Sequence, residues 1–262
     1  MGTIDVHHDG GVATITISDP PQNRLGLDLV QRLSAAVDSI DASSARVLMI
    51  RGAGDHFSFG ADLAGWLDTD VAGVRRYLIR LNQLYQQVEG LQIPTIAVVH
   101  GACMGGGFEL ALHCDLIVAA RDAQFRFPEA TIALCPLGGG LQRLAERAGR
   151  AQAARMALLS DPLSGADAHQ LGMIARLAEP ADVADVADDL ARQLAEGPAL
   201  AYAASKAILK GWSQGGLGVA DRLLLDIGDT VLNSQDFARG VPNAVDAIRR
   251  NVPRPSIVFN GQ

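Results

Sequence analysis

Residues 93–144 read IPTIAVVHGACMGGGFELALHCDLIVAARDAQFRFPEATIALCPLGGGLQRL. Within them Thr95–Val99 is short, apolar and partly β-branched, with Pro94 before it and Gly101 after it, the pattern of a buried strand. Gly105-Gly106-Gly107 follows, and Phe108 to His113 reads as a helix. A strand, a glycine-rich turn and a helix start gather free backbone N–H groups at one point, with the positive end of the helix dipole behind them. Such a turn suits an anion, or an oxygen that becomes anionic during a reaction. Glu109 falls in the first turn of this helix, and Glu129 follows 20 residues later (129 − 109), directly after Pro128. A strand expected at Leu116–Ala119 carries the chain away and Phe125–Phe127 can return it. Two carboxylates near an oxyanion turn form a candidate acid/base pair. Each taken alone has a plainer reading: Glu109 as an acid complementing the helix dipole, Glu129 as a solvated loop acid.

Upstream, Ile4–His8 and Val12–Ser18 alternate apolar and polar residues around Asp9-Gly10-Gly11, which predicts a hairpin. Leu29, Leu33, Val37 and Ile40 then recur on one helical face, and Val47–Ile50 is a short buried strand. The loop Phe57-Ser58-Phe59-Gly60-Ala61-Asp62-Leu63 precedes a second periodic segment, Val71–Val88, with Val71, Val74, Leu78, Leu81, Tyr85 and Val88 on one face. Downstream, Ile174–Leu177 is expected as a final strand. From about Ala181 the chain reads as all helical, over Val183–Leu194, Leu200–Leu209, Gly218–Leu232 and Phe237–Arg250. Gly197-Pro198 marks a boundary, giving a core of 1–196 and a helical region of 197–262.

The 262 residues carry 22 basic and 29 acidic side chains, a formal charge of −7 that argues against a general partner in nucleic acid or an anionic membrane. Three cysteines form no C-x-x-C pair and their odd number argues against a disulfide framework, so a reducing cytoplasm is the expected location. The N-terminus has no signal-peptide pattern, and no apolar run approaches the ~20 residues that span a bilayer. A G-x-G-x-x-G reading fails at Leu110, no G-K-[ST] phosphate loop occurs, and the six histidines show no H-E-x-x-H spacing, so no metal is expected.

The central stretch closely resembles the crotonase (enoyl-CoA hydratase/isomerase) superfamily. The matching residues are Ile93-Pro94, Gly101, Gly105-Gly106-Gly107, Glu109-Leu110-Ala111, Cys114-Asp115, Ala123-Gln124-Phe125, Pro128-Glu129, Pro136, Gly139-Gly140 and Gln142-Arg143-Leu144. Phe57–Leu63 matches at the expected distance upstream. The resemblance runs over nearly the whole chain, weakening after about Gly197. It implies an α/β fold: a spiral of strand–strand–helix units, rather than a doubly wound sheet, followed by an all-helical C-terminal domain.

It also implies a site. The backbone N–H groups of Ala61 and Gly106 would form an oxyanion hole, with Glu109 as base and Glu129 as acid in hydration of a 2,3-unsaturated acyl-CoA. Arg24, Phe59, Asp62, Leu63 and Leu137 fall in the substrate and CoA-binding set. Coenzyme A is part of the substrate and no separate cofactor is implied; a homotrimer or a dimer of trimers is. Retention of both glutamates favours a hydratase over an isomerase or hydrolase of the same fold, and over a catalytically silent binding protein. Phe59 and Leu137 stand where smaller residues, alanine and glycine, are usual, and Ala133 replaces a frequent glycine. Arg126 and Phe127 face either the acyl chain or solvent. Arg249, Arg250 and Arg254 form either a solvated basic face or a contact for CoA phosphates.

Overall fold

The computed structural model describes residues 2–41, 44–253 and 257–261. The alternating N-terminal segments form β1 (Thr3–Asp9) and β2 (Val12–Ser18), antiparallel, with Asp9 opposite Val12. In chain order there follow α1 (Leu27–Asp41), β3 (Val47–Gly52), α2 (Ala64–Leu67), α3 (Val71–Gly90), β4 (Thr95–Val99), β5 (Ala102–Met104) and α4 (Gly106–His113). Next come β6 (Leu116–Ala120), β7 (Gln124–Arg126), a 3-10 turn (Glu129–Ile132), α5 (Gly140–Ala148), α6 (Arg150–Leu159), β8 (Leu163–Ser164), α7 (Gly165–Gln170) and β9 (Arg176–Ala178). The rest is helical: α8 (Val183–Ala195), α9 (Ala199–Gly215), α10 (Leu217–Leu232) and α11 (Gln235–Arg250).

Two sheets result. The larger runs β1-β2-β3-β4-β6-β9, parallel except for the β1–β2 pair; the smaller runs β5-β7-β8, with β5 and β7 parallel. Successive turns of the chain, β4–β5–α4 and β6–β7 with its 3-10 turn and α5, each place one strand in either sheet before a helix, so the chain is a crotonase-type spiral. All five residues of β4 are buried, as are the first four of β3 and the last four of β6. Parallel strands covered on both faces need apolar residues at every position, which is why TIAVV, VLMI and LIVAA do not alternate.

The chain divides into two compact units, one comprising the chain up to Leu91 with Thr95–Arg192, the other Gln92–Pro94 with the chain from Gln193 onward. In the second, α9 packs on α10, and Lys206 Nζ donates to the carbonyl of Ile93 at 2.7 Å. Arg250 pairs with Asp246 at 3.1 Å, while Arg254 lies outside the described residues. Among the described residues no helix is long and apolar enough to cross a membrane.

Several expectations shift. α3 buries Tyr77, Leu81, Leu84, Tyr85 and Val88, but Val71 is 86% exposed, because the helix begins there and its first turn projects beyond the core. The final strand is Arg176–Ala178, two residues later than expected at its start, since its pairing with Val118–Ala120 of β6 sets the register. Phe127 takes neither place expected of it, while Arg126 is half-buried. Phe127 is fully buried against Phe108, ring centroids 4.7 Å apart, and Arg126 Nε donates to the Ser160 carbonyl at 2.6 Å.

Candidate active site

Three segments of the first unit converge on one cavity of about 250 Å³: the 57–63 loop, the turn from β5 into α4, and the chain from Pro128 to Leu137. The cause is local packing. Phe108 of α4 stacks on Phe125 of β7 (5.2 Å) and on Phe127; Phe108 is the residue before Glu109, and Phe127 lies two residues before Glu129. Rings packed in this way contribute roughly 0.5–1.5 kcal/mol per pair beyond their buried area. The same cluster that closes the core therefore carries both glutamates to the cavity wall.

The loop is held by backbone bonds. Ser58 N–H donates to Ala102 O (3.1 Å) and Met104 N–H to Ser58 O (2.9 Å), pinning the loop along β5. The Ser58 hydroxyl donates to Asn23 O at 2.7 Å and accepts from Gly60 N–H at 3.0 Å. Asn23, wholly buried with φ +51°, accepts from Asp19 N–H and donates to the carbonyls of Ala53 and His56. Leu25 N–H donates to Gly60 O (2.8 Å), and Tyr77 Oη donates to Leu25 O (2.6 Å).

Gly60 O belongs to the same rigid amide as Ala61 N–H, so gripping the carbonyl aims the N–H the opposite way. On the other side Gly105 O accepts from Glu109 N–H at 2.9 Å, the first turn of α4, which leaves Gly106 N–H projecting from the helix start. Among the described residues neither Ala61 N–H nor Gly106 N–H has a protein acceptor. The two strands of backbone approach so closely that a Cβ on Gly60, at φ +81°, would fall 2.7 Å from Gly106 N and 2.7 Å from Met104 O. Only glycine fits there. Tyr85 Oη donates to Gly106 O and steadies this turn further.

Glu109 is 3% exposed and Glu129 8%. Burial pushes the Glu109 carboxyl up from 4.5 to about 7, against the Gly140 and Gly138 N–H groups and Arg143, which favour its ionised form. Its Oε1 accepts from Gly138 N–H at 2.7 Å and from Gly140 N–H at 3.1 Å. Burial likewise raises Glu129 to about 7, opposed by its own backbone N–H and reinforced by the Glu109 charge. Glu129 Oε2 is buried without a hydrogen-bond partner. Burial holds His113 down near 4, with Arg143 acting in the same direction, so it is neutral at pH 7; its Nδ1–H donates to Glu109 O at 2.7 Å. Tyr77 and Tyr85 are both raised, by burial first and then by neighbouring negative charge, and remain protonated donors.

Of the residues expected here, Glu109, Glu129, Ala61, Gly106, Arg24, Phe59, Leu63 and Leu137 all line the cavity. Leu63 and Leu137 are 37% and 43% exposed and stand at its rim. The Arg24 guanidinium lies 5.8 Å from the Phe59 ring centroid and donates to Ala61 O at 3.3 Å. Asp62 is the exception. It borders a separate depression with Gly26, Leu27 and Thr69, because its carboxylate turns back to accept from Ala64 N–H at the start of α2. Trp66, Leu78, Leu81, Met104, Ile132, Leu134 and Cys135 complete the cavity's apolar lining. None was singled out from the sequence as a wall residue; for Leu78 and Leu81 the helical period identified the inward face of α3 but not what that face meets.

A two-sheet spiral that sets two buried glutamates beside two free N–H groups defines a crotonase-fold enzyme. The family model described as enoyl-CoA hydratase/isomerase matches residues 7–217, and the chain belongs to that family. It is similar to a probable enoyl-CoA hydratase of Bacillus subtilis, 35% identical over 201 residues that cover 75% of this chain and 77% of that protein. Among solved structures, an enoyl-CoA hydratase subunit I from Geobacillus kaustophilus is 29% identical with a TM-score of 0.87, covering 99% of this chain and 98% of the other. An enoyl-CoA hydratase from Bacillus anthracis is 25% identical with a TM-score of 0.89, over 99% of both chains.

Proposed function

We propose that the protein hydrates the 2,3 double bond of an enoyl-CoA thioester. The observation that carries this is the pairing of Glu109 and Glu129 on one apolar cavity wall beside the free N–H groups of Ala61 and Gly106. The thioester oxygen takes both N–H groups, and these bonds strengthen as it becomes an enolate oxygen. Glu109, whose ionised form is supported by two N–H groups and Arg143, is the base. It removes a proton from a water as the water oxygen bonds to C3. Glu129 is the acid, because a buried oxygen with no donor facing it favours the protonated form. It delivers its proton to C2 as the enolate collapses. The proton gained by Glu109 then replaces the one lost by Glu129, and the site is reset. The reading brings with it the homotrimer or dimer of trimers and a cytoplasmic place of work.

The test is loss of the conjugated enoyl absorbance when purified protein meets crotonyl-CoA. E109Q and E129Q should each lower kcat by about 10²–10⁴-fold, the usual contribution of one positioned acid or base, while an acyl-CoA analogue binds nearly as before. A migrated double bond would identify an isomerase and free coenzyme A a hydrolase. Tight binding without any turnover would identify a silent binding protein. Each of those outcomes would overturn the hydratase reading.

A further inference from the structure

Both peptide units that hold the Glu109 carboxylate are themselves gripped on their far side. The Leu137 carbonyl shares an amide plane with Gly138 N–H, and it accepts from Asn82 Nδ2 at 2.9 Å. The Gly139 carbonyl shares a plane with Gly140 N–H, and it accepts from Arg143 Nη1 at 2.8 Å. Arg143 is in turn held by Glu89 through two parallel bonds, Nε to Oε1 at 2.7 Å and Nη2 to Oε2 at 2.6 Å. Asn82 and Glu89 lie about two helical turns apart on one side of α3, so one stripe of that helix reaches both peptides. The amide of Asn82 is oriented without ambiguity, since its Nδ2 also donates to the Leu78 carbonyl at 2.8 Å. The peptides press directly on the carboxylate: a Cβ on Gly138 would lie 2.6 Å from Glu109 Oε2, and one on Gly140 2.6 Å from Glu109 Cγ.

We propose that Asn82 and the Arg143–Glu89 pair are positioning residues, holding from behind the two peptide units whose N–H groups fix the Glu109 carboxylate. None of the three lines the cavity. A planar amide transmits the grip: fixing C=O fixes the direction of the N–H, and a hydrogen bond to the carbonyl polarises the N–H it opposes. Other groups also act on Glu109. They are Glu129 from the 3-10 turn, Arg143 from α5, Tyr77 and Tyr85 from α3, and neutral His113 from its own helix. Arg143 alters both geometry and field. Asn82 carries no charge, so position 82 separates orientation from a direct electrostatic effect.

The kinetic arm of this inference rests on the hydratase reading, and the experiment therefore has two arms. In the first, N82L is assayed with crotonyl-CoA across pH. It should lose about tenfold in kcat with KM within about twofold, and its acid limb should move to higher pH, the result expected when an aligned donor to the carboxylate is lost. In the second, the Glu109 carboxyl of the substrate-free protein is titrated by carbon-13 NMR, assigned by its disappearance in E109Q. Its midpoint should rise in N82L. R143K, which keeps a donor for Gly139 but loses the fork to Glu89, should lose less than R143M. Should N82L fail to fold by circular dichroism, N82S is read in the same way. Wild-type kcat with an unmoved Glu109 midpoint overturns the proposal, and so does a loss confined to KM or to melting temperature. A wild-type protein that leaves crotonyl-CoA unchanged sinks the hydratase reading alone, and the titration still decides the role of Asn82.

Discussion

Gly60 shows how a single residue decides whether the site can exist. Its positive φ and its contact with Gly106 N and Met104 O leave no room for a methyl group. A G60A substitution forces the 57–63 loop and the α4 turn apart and misdirects Ala61 N–H. The expected result is a fall in kcat of about 10²–10³-fold, the effect of losing one oxyanion donor, with a smaller change in analogue affinity. Single-turnover kinetics beside a binding titration would separate the two. Undiminished turnover in G60A would remove Ala61 from the proposed mechanism. Glu129 makes the complementary point, because the acid role proposed for it rests on what it lacks: an oxygen buried without a donor favours the protonated form.

Among the elements, the 3-10 turn after Pro128 carries a local conflict. The residue that caps its C-terminal end, Ala133, has φ +57° and ψ +34°. A left-handed alanine costs about 1–2 kcal/mol, of which glycine's greater freedom in the unfolded chain gives back about 0.5–1. A133G should therefore raise the unfolding free energy by about 0.5–1 kcal/mol, read from denaturant melts at constant m-value. A destabilised A133G would show that contacts of the methyl group outweigh the backbone strain. The helix α3 is the other element whose role exceeds its length. One of its faces buries Tyr77, Leu81, Leu84, Tyr85 and Val88, while Asn82 and Glu89 stabilise the loop behind Glu109.

For the molecule as a whole, the glutamate pair sets activity against stability. Both carboxyls are raised from 4.5 to about 7 by burial, so between those pH values the folded state binds more protons than the unfolded one. Their contribution is fully present below about pH 4.5 and is lost as pH rises through about 7. At ~1.4 kcal/mol per tenfold change in proton affinity, each carboxyl costs up to about 3 kcal/mol by pH 8, and the mutual repulsion makes the pair non-additive. Chemical denaturation at pH 5 and pH 8 should show this decline, and E109Q or E129Q should flatten it. A wild-type slope retained in both variants would assign it elsewhere. Activity should follow a different course, because the proposed mechanism needs one carboxyl ionised and one protonated. The kcat profile should accordingly be a bell near neutral pH, failing in acid as the base is protonated and in alkali as the acid is ionised.

Much of the architecture was legible in residue order. The unbroken apolar runs of the parallel strands and the helical spacing in α1 identify elements from local physics alone, because each must bury one face or both; the period of two in β1 and β2 identifies the hairpin but not its burial, since β1 buries neither face and β2 is buried along most of its length. The glutamates and the glycine turn of 105–107 were legible as well, being chemistry-bearing types beside punctuation that the backbone requires. The grip of Asn82 on Leu137 was not, nor the fork from Glu89 to Arg143, nor the turn of Asp62 away from the cavity. These join groups 55, 54 and 2 positions apart. The first two cross between elements brought together by the winding of the spiral, and the third depends on one rotamer at the start of α2. Local sequence determined which residues could do the chemistry, while tertiary packing decided that two peptide N–H groups face the Glu109 carboxylate and that one oxygen of Glu129 is buried without a partner.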